Sequence, residues 1–243
     1  MNSYIDCHSH ILYGIDDGSK NIEQSIEILN NLSKLGFKEV VLTPHYISYY
    51  HANNSIKRQL FNDLKERINR ENINIKLYLA NEVRITSNIL DLIKKDEISL
   101  LGNYLFLELP FNNRIYNLDK IIYELQANNI NVVLVHPERY NYLSKDEYQK
   151  LIDSDVLFQV NYESIVGKYG FNAKKRAKYL LKNNMVSFLA TDVHKSSAIL
   201  FKDFDKIKNK IIKIVGEETF NDLSYNNMKE IISNIKEVSS IPL

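Results

Sequence analysis

Five of the six histidines in this chain fall into four short clusters: Asp6-Cys7-His8-Ser9-His10, Thr43-Pro44-His45, His136-Pro137-Glu138-Arg139 and Thr191-Asp192-Val193-His194. Each cluster closes a short apolar run, and Glu82 and Glu108 follow two further runs. His8 and His10, one residue apart, point to one side where a strand ends and can grip a cation together. Asp192 and His194 repeat that spacing after the last run, which neighbours the first if the strands close into a barrel. A lone His-x-His pair is more often structural than ligating. A single Glu82 or Glu108 is read equally well as a salt bridge or helix cap. Four histidine-bearing strand ends in one chain are not explained that way, because an ionisable group at a barrel's interior rim is costly unless paired or metal-bound.

Mixed imidazole and carboxylate donors suit Zn, Mn or Fe(II), whereas calcium or magnesium cages use oxygen more exclusively. About nine candidate donors exceed what one ion needs, so two or three cations are implied. Clustered divalent ions generate hydroxide near neutral pH and clamp phosphoryl oxygens, which makes hydrolysis of a phosphate ester the natural chemistry. Arg139, three residues beyond His136, adds a guanidinium able to fork onto phosphate oxygens. A surface ion pair is its bland alternative. Cysteine-dependent phosphatases place an arginine six residues after the nucleophile, and six after Cys7 stands Tyr13. Cys7 is therefore read as a small buried strand residue. Asp16 and Asp17 lie in Gly14-Ile15-Asp16-Asp17-Gly18, where turn formation accounts for at least one of them. His51 stands outside the pattern and is expected at the surface, without a role.

Positioning these groups is the task of alternating elements. Strands are expected at Tyr4–Cys7, Glu39–Leu42, Ile75–Leu79, Tyr104–Leu109, Asn131–Val135, Val156–Val160 and Val186–Ala190. Between the first two, Ile22, Ile26, Leu29, Leu32 and Leu35 recur at helical spacing, with Asn21 as N-cap and Gly36 as stop. Further helices are expected at Ser55–Arg70, Leu118–Gln126, Lys145–Asp153, Ala173–Lys182, Ala198–Val215 and near Asn226–Glu237. Such alternation favours a parallel sheet with helices outside, an α/β fold closed or nearly closed as a distorted seven-stranded TIM-like barrel. The residues after the runs then share one rim: His8 and His10, His45, Glu82, Glu108, His136, Asn161, and Asp192 with His194.

At 243 residues the chain suffices for one domain, residues 1–243, and no linker or repeat argues for a second. With 31 basic and 30 acidic residues its net charge is +1, so no charge excess advertises a nucleic-acid or membrane partner. One cysteine excludes an intramolecular disulfide, and no apolar run is long enough for a membrane span or signal peptide. A cytoplasmic enzyme is the expectation. No Gly-rich nucleotide loop is present.

With those residues assembled, the chain resembles the polymerase-and-histidinol-phosphatase (PHP) superfamily, and within it the bacterial capsule-locus tyrosine phosphatases of CpsB/YwqE type. The resemblance runs from about Tyr4 to His194. It is carried by Asp6-Cys7-His8-Ser9-His10-Ile11-Leu12, Asp16-Asp17-Gly18, Thr43-Pro44-His45, His136-Pro137-Glu138-Arg139 and Ala190-Thr191-Asp192-Val193-His194. It implies a distorted (β/α)7 barrel of PHP type with a trinuclear, often manganese-dependent site. His8, His10, Glu82 and Asp192 would hold one metal, Glu82, Glu108 and His136 a second, and Asp17, His45 and His194 a third, with Arg139 on the phosphate. The implied substrate is phosphotyrosine on a protein, typically the tail of a bacterial tyrosine kinase that regulates capsule or exopolysaccharide assembly. Histidinol phosphate or another small phosphomonoester is the alternative ester, and a weakly active metal-bound regulatory protein the alternative class. Tyr46, Tyr49 and Tyr50 would flank the mouth and stack on the substrate ring, with ordinary loop aromatics as the plain alternative. Relatives carry a second phosphate-contacting arginine a few residues after the final Asp-x-His, where this chain reads His194-Lys195-Ser196-Ser197-Ala198-Ile199. Lys195 or Lys202 would replace it only as a point charge. The native metal and the oligomeric state are left open.

Overall fold

A computed structural model describes residues 3–239. The chain runs β1 (Tyr4–Asp6), α1 (Ile22–Leu35), β2 (Phe37–Leu42), β3 (His45–Tyr46), α2 (Asn54–Arg70), β4 (Lys76–Leu79), β5 (Glu82–Arg84), α3 (Ile89–Lys94), β6 (Tyr104–Glu108) and α4 (Leu118–Ala127). It continues through β7 (Asn131–Val135), α5 (Lys145–Asp153), β8 (Leu157–Asn161), α6 (Gly170–Lys182), β9 (Phe188–Ala190), α7 (Leu200–Val215), α8 (Glu217–Asn221) and α9 (Asn227–Ser239). Local sequence explains the main boundaries. Asn21 accepts a hydrogen bond from the Gln24 amide and Gly36 leaves α1 at φ 98, where its amide donates to the Leu32 and Ser33 carbonyls. Ser144 and Glu147 close a reciprocal capping box on α5.

All strand pairings are parallel, in a three-stranded sheet β1-β2-β4 and a six-stranded sheet β3-β5-β6-β7-β8-β9. Two of the seven expected runs are interrupted, at Thr43-Pro44 and Ala80-Asn81, and each resumes as a short strand carrying a site residue: His45 in β3 and Glu82 in β5. Proline 44 has no amide to donate, which breaks the ladder locally. Hydrogen bonds cross the break from the Ala80 amide to the Leu42 carbonyl (2.9 Å) and from the Glu82 amide to the Pro44 carbonyl (3.2 Å). Asn81 stitches it from the side, donating to the Pro44 carbonyl and accepting from the Ser99 amide and from Lys57 Nζ at 2.5 Å. Burial in this position pushes the Lys57 amine down to about 7. The first and last strands meet just past their ends, where the Asp192 amide donates to the His8 carbonyl and the His10 amide to the Val193 carbonyl.

Side-chain alternation splits the core in two. Val132, Leu134, Phe158 and Val160 join the larger cluster under the helices, whereas Ile5, Cys7, Val41, Ala80, Phe106, Val133, Val135, Phe188 and Ala190 form an inner layer. Cys7 is buried there as expected, although β1 ends one residue before it, at Asp6. Met228, Ile231 and Ile232 of α9 pack against the inner layer. Asn227 donates to the Ser187 carbonyl, just before β9, and Lys229 pairs with Glu39 near the start of β2. Helix α9 thus covers the N-terminal ends of the strands. Among the described residues, no helix is long and apolar enough to cross a membrane.

Candidate metal centre

At the opposite end, each strand turns from apolar to polar within one residue. Cys7 is followed by His8, Val135 by His136, and Ala190 by Thr191 and Asp192. The turns are tight: His136 (φ 35) and Asp192 (φ 50) adopt the left-handed conformation, uncommon for residues with a Cβ and a mark of sites where position matters more than local comfort. The turn Pro137–Arg139 then aims Arg139 back over the strands.

His8 Nε2 and His10 Nε2 lie 3.2 Å apart. Glu82 Oε2 is 3.5 and 3.3 Å from them, and Asp192 Oδ1 3.9 and 3.5 Å. The outer nitrogens fix the rings: His8 Nδ1 donates to Gln159 Oε1 and His10 Nδ1 to Asp16 Oδ2, both at 2.8 Å. With both Nδ1 atoms donating, neutral rings would turn two lone pairs on each other. Only a shared proton or a cation relieves that contact. His45 Nδ1 stands 2.7 Å from Glu82 Oε2 without hydrogen-bond geometry, so these two buried atoms, like His136 Nδ1, lack a hydrogen-bond partner. Such orphans are rare in proteins, and nitrogens of His8, His10, His45 and His136 all approach the one Glu82 carboxylate, the crowding of donors that a divalent cation requires. His136 Nε2 meets the other oxygen of Glu82 at 2.8 Å.

Donor atoms within 4.8 Å of one another form three overlapping groups: His8, His10 and Glu82; His45, Glu82 and Glu108; and His10, Asp17, His45 and His194. Asp17 Oδ1 lies 3.4 Å from His45 Nε2 and 3.5 Å from His194 Nε2, and the His194 Nδ1 donates to the Asp192 carbonyl. All nine candidate ligands are therefore brought together with Arg139. These groups differ from the expected ones in three respects: Asp192 is not in the first, His45 stands with Glu82 and Glu108 where His136 was expected, and His10 joins Asp17, His45 and His194.

Burial penalises every charge in this cluster and the neighbours decide the balance. Burial also opposes the charged form of Glu82, yet His45, His8, His10 and His136 hold it well below the usual carboxylate range. Glu108 goes the other way, pushed up to about 7 by burial and by the charge on Glu82, against the pull of Arg84. Despite burial, Asp16 and Glu82 lift His10 well above the ordinary imidazole value. His136 falls to about 4 through burial and the Arg139 charge. With protons as the only counterions, the cluster sets imidazolium against carboxylate; the same atoms would release those protons to a divalent cation.

Supporting residues tie these groups together, and one of them, Gln159, is not singled out by the sequence. Gln159 donates to Asn161 Oδ1 (2.8 Å) and Asn161 to Asp192 Oδ2 (2.7 Å), so His8 and Asp192 are tied through one amide chain. A polar residue inside the run Phe158-Gln159-Val160 was the available signal. Asp16 accepts from His10, from the Gly18 amide and from the His45 amide, which makes it an organiser of ligands as well as a turn residue. Gly18 is required there, because a Cβ would fall 1.9 Å from the His10 carbonyl oxygen.

Above the cluster opens a cavity of about 720 Å³. Arg139 stands at its wall, donating to Asp192 Oδ2 (3.2 Å) and held between the rings of Phe111 and Tyr169 at 4.4 and 4.5 Å. Tyr49, Tyr50, Arg84, Lys168, Lys195 and Ile199 also line it. Tyr46 does not: its hydroxyl donates to Glu97 (2.7 Å), away from this cavity, which corrects its expected place at the mouth. Lys202 is absent from the lining too, whereas Arg84, donating to Glu108 at 2.7 Å, supplies a second guanidinium. His51 is exposed.

Residues 4–233 match the family model for capsular polysaccharide synthesis, CpsB/CapC. The chain belongs to the CpsB/CapC family. Within it, CapC of Staphylococcus aureus is 30% identical over 98% of this chain and 94% of its own length. The tyrosine-protein phosphatase CpsB of Streptococcus agalactiae is 28% identical over 95% of this chain and 98% of its own. Among solved structures, that of YwqE from Bacillus subtilis and CpsB from Streptococcus pneumoniae, described as unique metal-dependent tyrosine phosphatases, matches with a TM-score of 0.86. The identity is 24%, over 95% of this chain and 94% of that one. A histidinol phosphate phosphatase from Lactococcus lactis shares the fold more distantly, with a TM-score of 0.54 at 14% identity, over 96% of this chain and 93% of that one. The CpsB/CapC fold is thus a mixed α/β one with parallel sheets.

Proposed function

We propose that this chain is a metal-dependent protein-tyrosine phosphatase that hydrolyses phosphotyrosine on a protein, the tail of a bacterial tyrosine kinase of capsule or exopolysaccharide synthesis. The observation that carries this reading is the convergence of four imidazoles, those of His8, His10, His45 and His136, on the buried Glu82 carboxylate beneath a cavity walled by arginine and aromatic rings. Membership in a family whose named relatives are tyrosine-protein phosphatases supports the choice of ester.

In this reading His8, His10, Asp17, His45, Glu82, Glu108, His136, Asp192 and His194 would hold two to three divalent ions, manganese before iron or zinc. When bound, the metals supply charge neutralisation on phosphoryl oxygens and an acidified water. Gln159 and Asp16 hold the His8 and His10 rings with their Nε2 atoms inward. Arg139 meets the phosphate, its side chain pre-aligned by the Phe111 and Tyr169 faces so that little rotamer freedom is lost. Tyr49 and Tyr50 offer ring faces to the substrate phenol. A phenolate leaves with a conjugate-acid pKa of about 10, so no dedicated general acid is demanded. The two sheets, joined across the Pro44 break and between Val193 and Ser9, are read as a distorted (β/α)7 barrel of PHP type in one domain spanning residues 1–243; residues 1–2 and 240–243 lie outside those described. The working compartment is the cytoplasm.

The test is hydrolysis of phosphotyrosine peptides and histidinol phosphate side by side, with manganese added or removed. Selective turnover of the peptides, lost on chelation and in His136→Ala, is expected. Full activity after chelation would overturn the metal-dependent mechanism, and preference for histidinol phosphate would overturn the ester.

A further inference from the structure

A second cavity, of about 340 Å³, adjoins the first. Phe111, Arg139 and Tyr169 line both, so a substrate whose phosphate reaches Arg139 lays its neighbouring residues beside the second. Its far wall is Phe171, 79% exposed, and Arg176. Arg176 is fixed in place, with Nε donating to the Glu138 carbonyl and Nη2 to Asn141 Oδ1, both at 2.7 Å. Those bonds use two of five guanidinium N–H groups and no opposite charge. No carboxylate lines the cavity, and among the described residues none pairs with Arg176. Arg139, by contrast, has Asp192.

The opposite flank is built differently. A depression of about 410 Å³ shares Ile47 and Arg84 with the catalytic cavity and is otherwise lined by Tyr46, Ser48, His51, Ile85, Thr86 and Leu92. Its one guanidinium is already paired with Glu108. The trough across the site therefore has one side whose guanidinium is free of any carboxylate and one side whose guanidinium is neutralised.

We propose that the cavity between Phe111, Tyr169, Phe171 and Arg176 is a subsite for an anionic side chain of the substrate, one to three residues from the phosphotyrosine. This rests on the phosphotyrosine reading above. The shared chemistry is an anion on a flexible or aromatic stem, supplied by Asp or Glu or by a second phosphotyrosine. Phe111 and Phe171 would cover the stem while Arg176 takes the charge with its remaining donors.

The full chain, loaded with manganese, should be assayed on p-nitrophenyl phosphate and on phosphotyrosine peptides carrying Asp, phosphotyrosine, Ala or Lys at each of the three positions on either side. A charge-assisted bond at a partly open site predicts about a tenfold higher kcat/KM for Asp over Lys, expressed in KM and weakened by salt. The effect should appear on one side of the phosphotyrosine only. Arg176→Glu should invert the Asp-to-Lys ratio. A response to both Asp and phosphotyrosine supports a general anion subsite, and a response to phosphotyrosine alone supports a phosphate subsite. Equal kcat/KM whatever the flanking charge, or an unchanged ratio in Arg176→Glu, overturns the subsite and leaves the phosphatase reading standing. If neither p-nitrophenyl phosphate nor any phosphopeptide is cleaved, both fall. The wild-type ratio and its salt dependence decide the matter even if the variant does not fold.

Discussion

The two ends of the strands do opposite work. At the N-terminal end, α9 lays Met228, Ile231 and Ile232 against an apolar layer, and the nearby charge on Glu39 is paired with Lys229. At the C-terminal end, one residue beyond that layer, the chain accumulates buried histidines and carboxylates, unpartnered nitrogen and oxygen atoms and, at His136, a left-handed residue that is not Gly, Asn or Asp. Orphaned polar atoms and strained backbone persist only where the surrounding structure fixes them. The apolar end supplies that rigidity, and the polar end spends stability on donors positioned for a ligand.

Substitutions at each end separate these roles. Glu82→Gln, which removes the carboxylate charge on which His8, His10, His45 and His136 converge, should cost about 10³-fold or more in metal-supported phosphatase activity. The folded state should survive, as read by circular dichroism; retained activity would remove Glu82 from the centre. At the other end, Ile232→Ala should destabilise by about 2–4 kcal/mol in urea unfolding while leaving turnover per folded molecule unchanged. A matching loss of turnover would mean the two ends are not separable. Gln159→Leu, which frees His8 Nδ1, should weaken metal binding by about 10–100-fold in calorimetric titration; unaltered affinity would make the glutamine a bystander.

The smallest effect at any single step of pH concerns Lys57, which braces Asn81 at the break before Glu82. Its folded pKa, lowered to about 7 by burial, lies below the unfolded value, so the unfolded chain holds the extra proton between about pH 7 and pH 10. Wild-type stability should then rise with pH across that window relative to Lys57→Met, by about 1 kcal/mol per pH unit. Unfolding measured with chelator present tests this, and parallel pH profiles would contradict it.

The polar end was more legible in the sequence than the apolar one. His8, His45, His136 and Asp192 announce themselves because each follows an unmistakable apolar run by one to three residues, and periodicity therefore locates both the strand and its chemistry. Glu82 was found the same way, although the break at Ala80-Asn81 that seats it was not, since an interruption depends on hydrogen bonds to Leu42 and Pro44 forty residues earlier. Gln159 was hidden because a polar residue in a strand reads as surface, whereas here it is buried against His8 and Asn161. Phe111, Tyr169, Arg84 and Arg176 come from separate loops and elements, and no local spacing links them. Tyr46 was misplaced for a related reason: the dipeptide step from His45 reverses its side chain toward Glu97. That α9 closes the far end follows from tertiary packing alone.

The most direct test is anomalous diffraction from crystals grown with manganese. Two or three ions at the strand ends, at least two of them in contact with Glu82, is the expected result. A single ion, or none within reach of Glu82, would contradict the multinuclear centre.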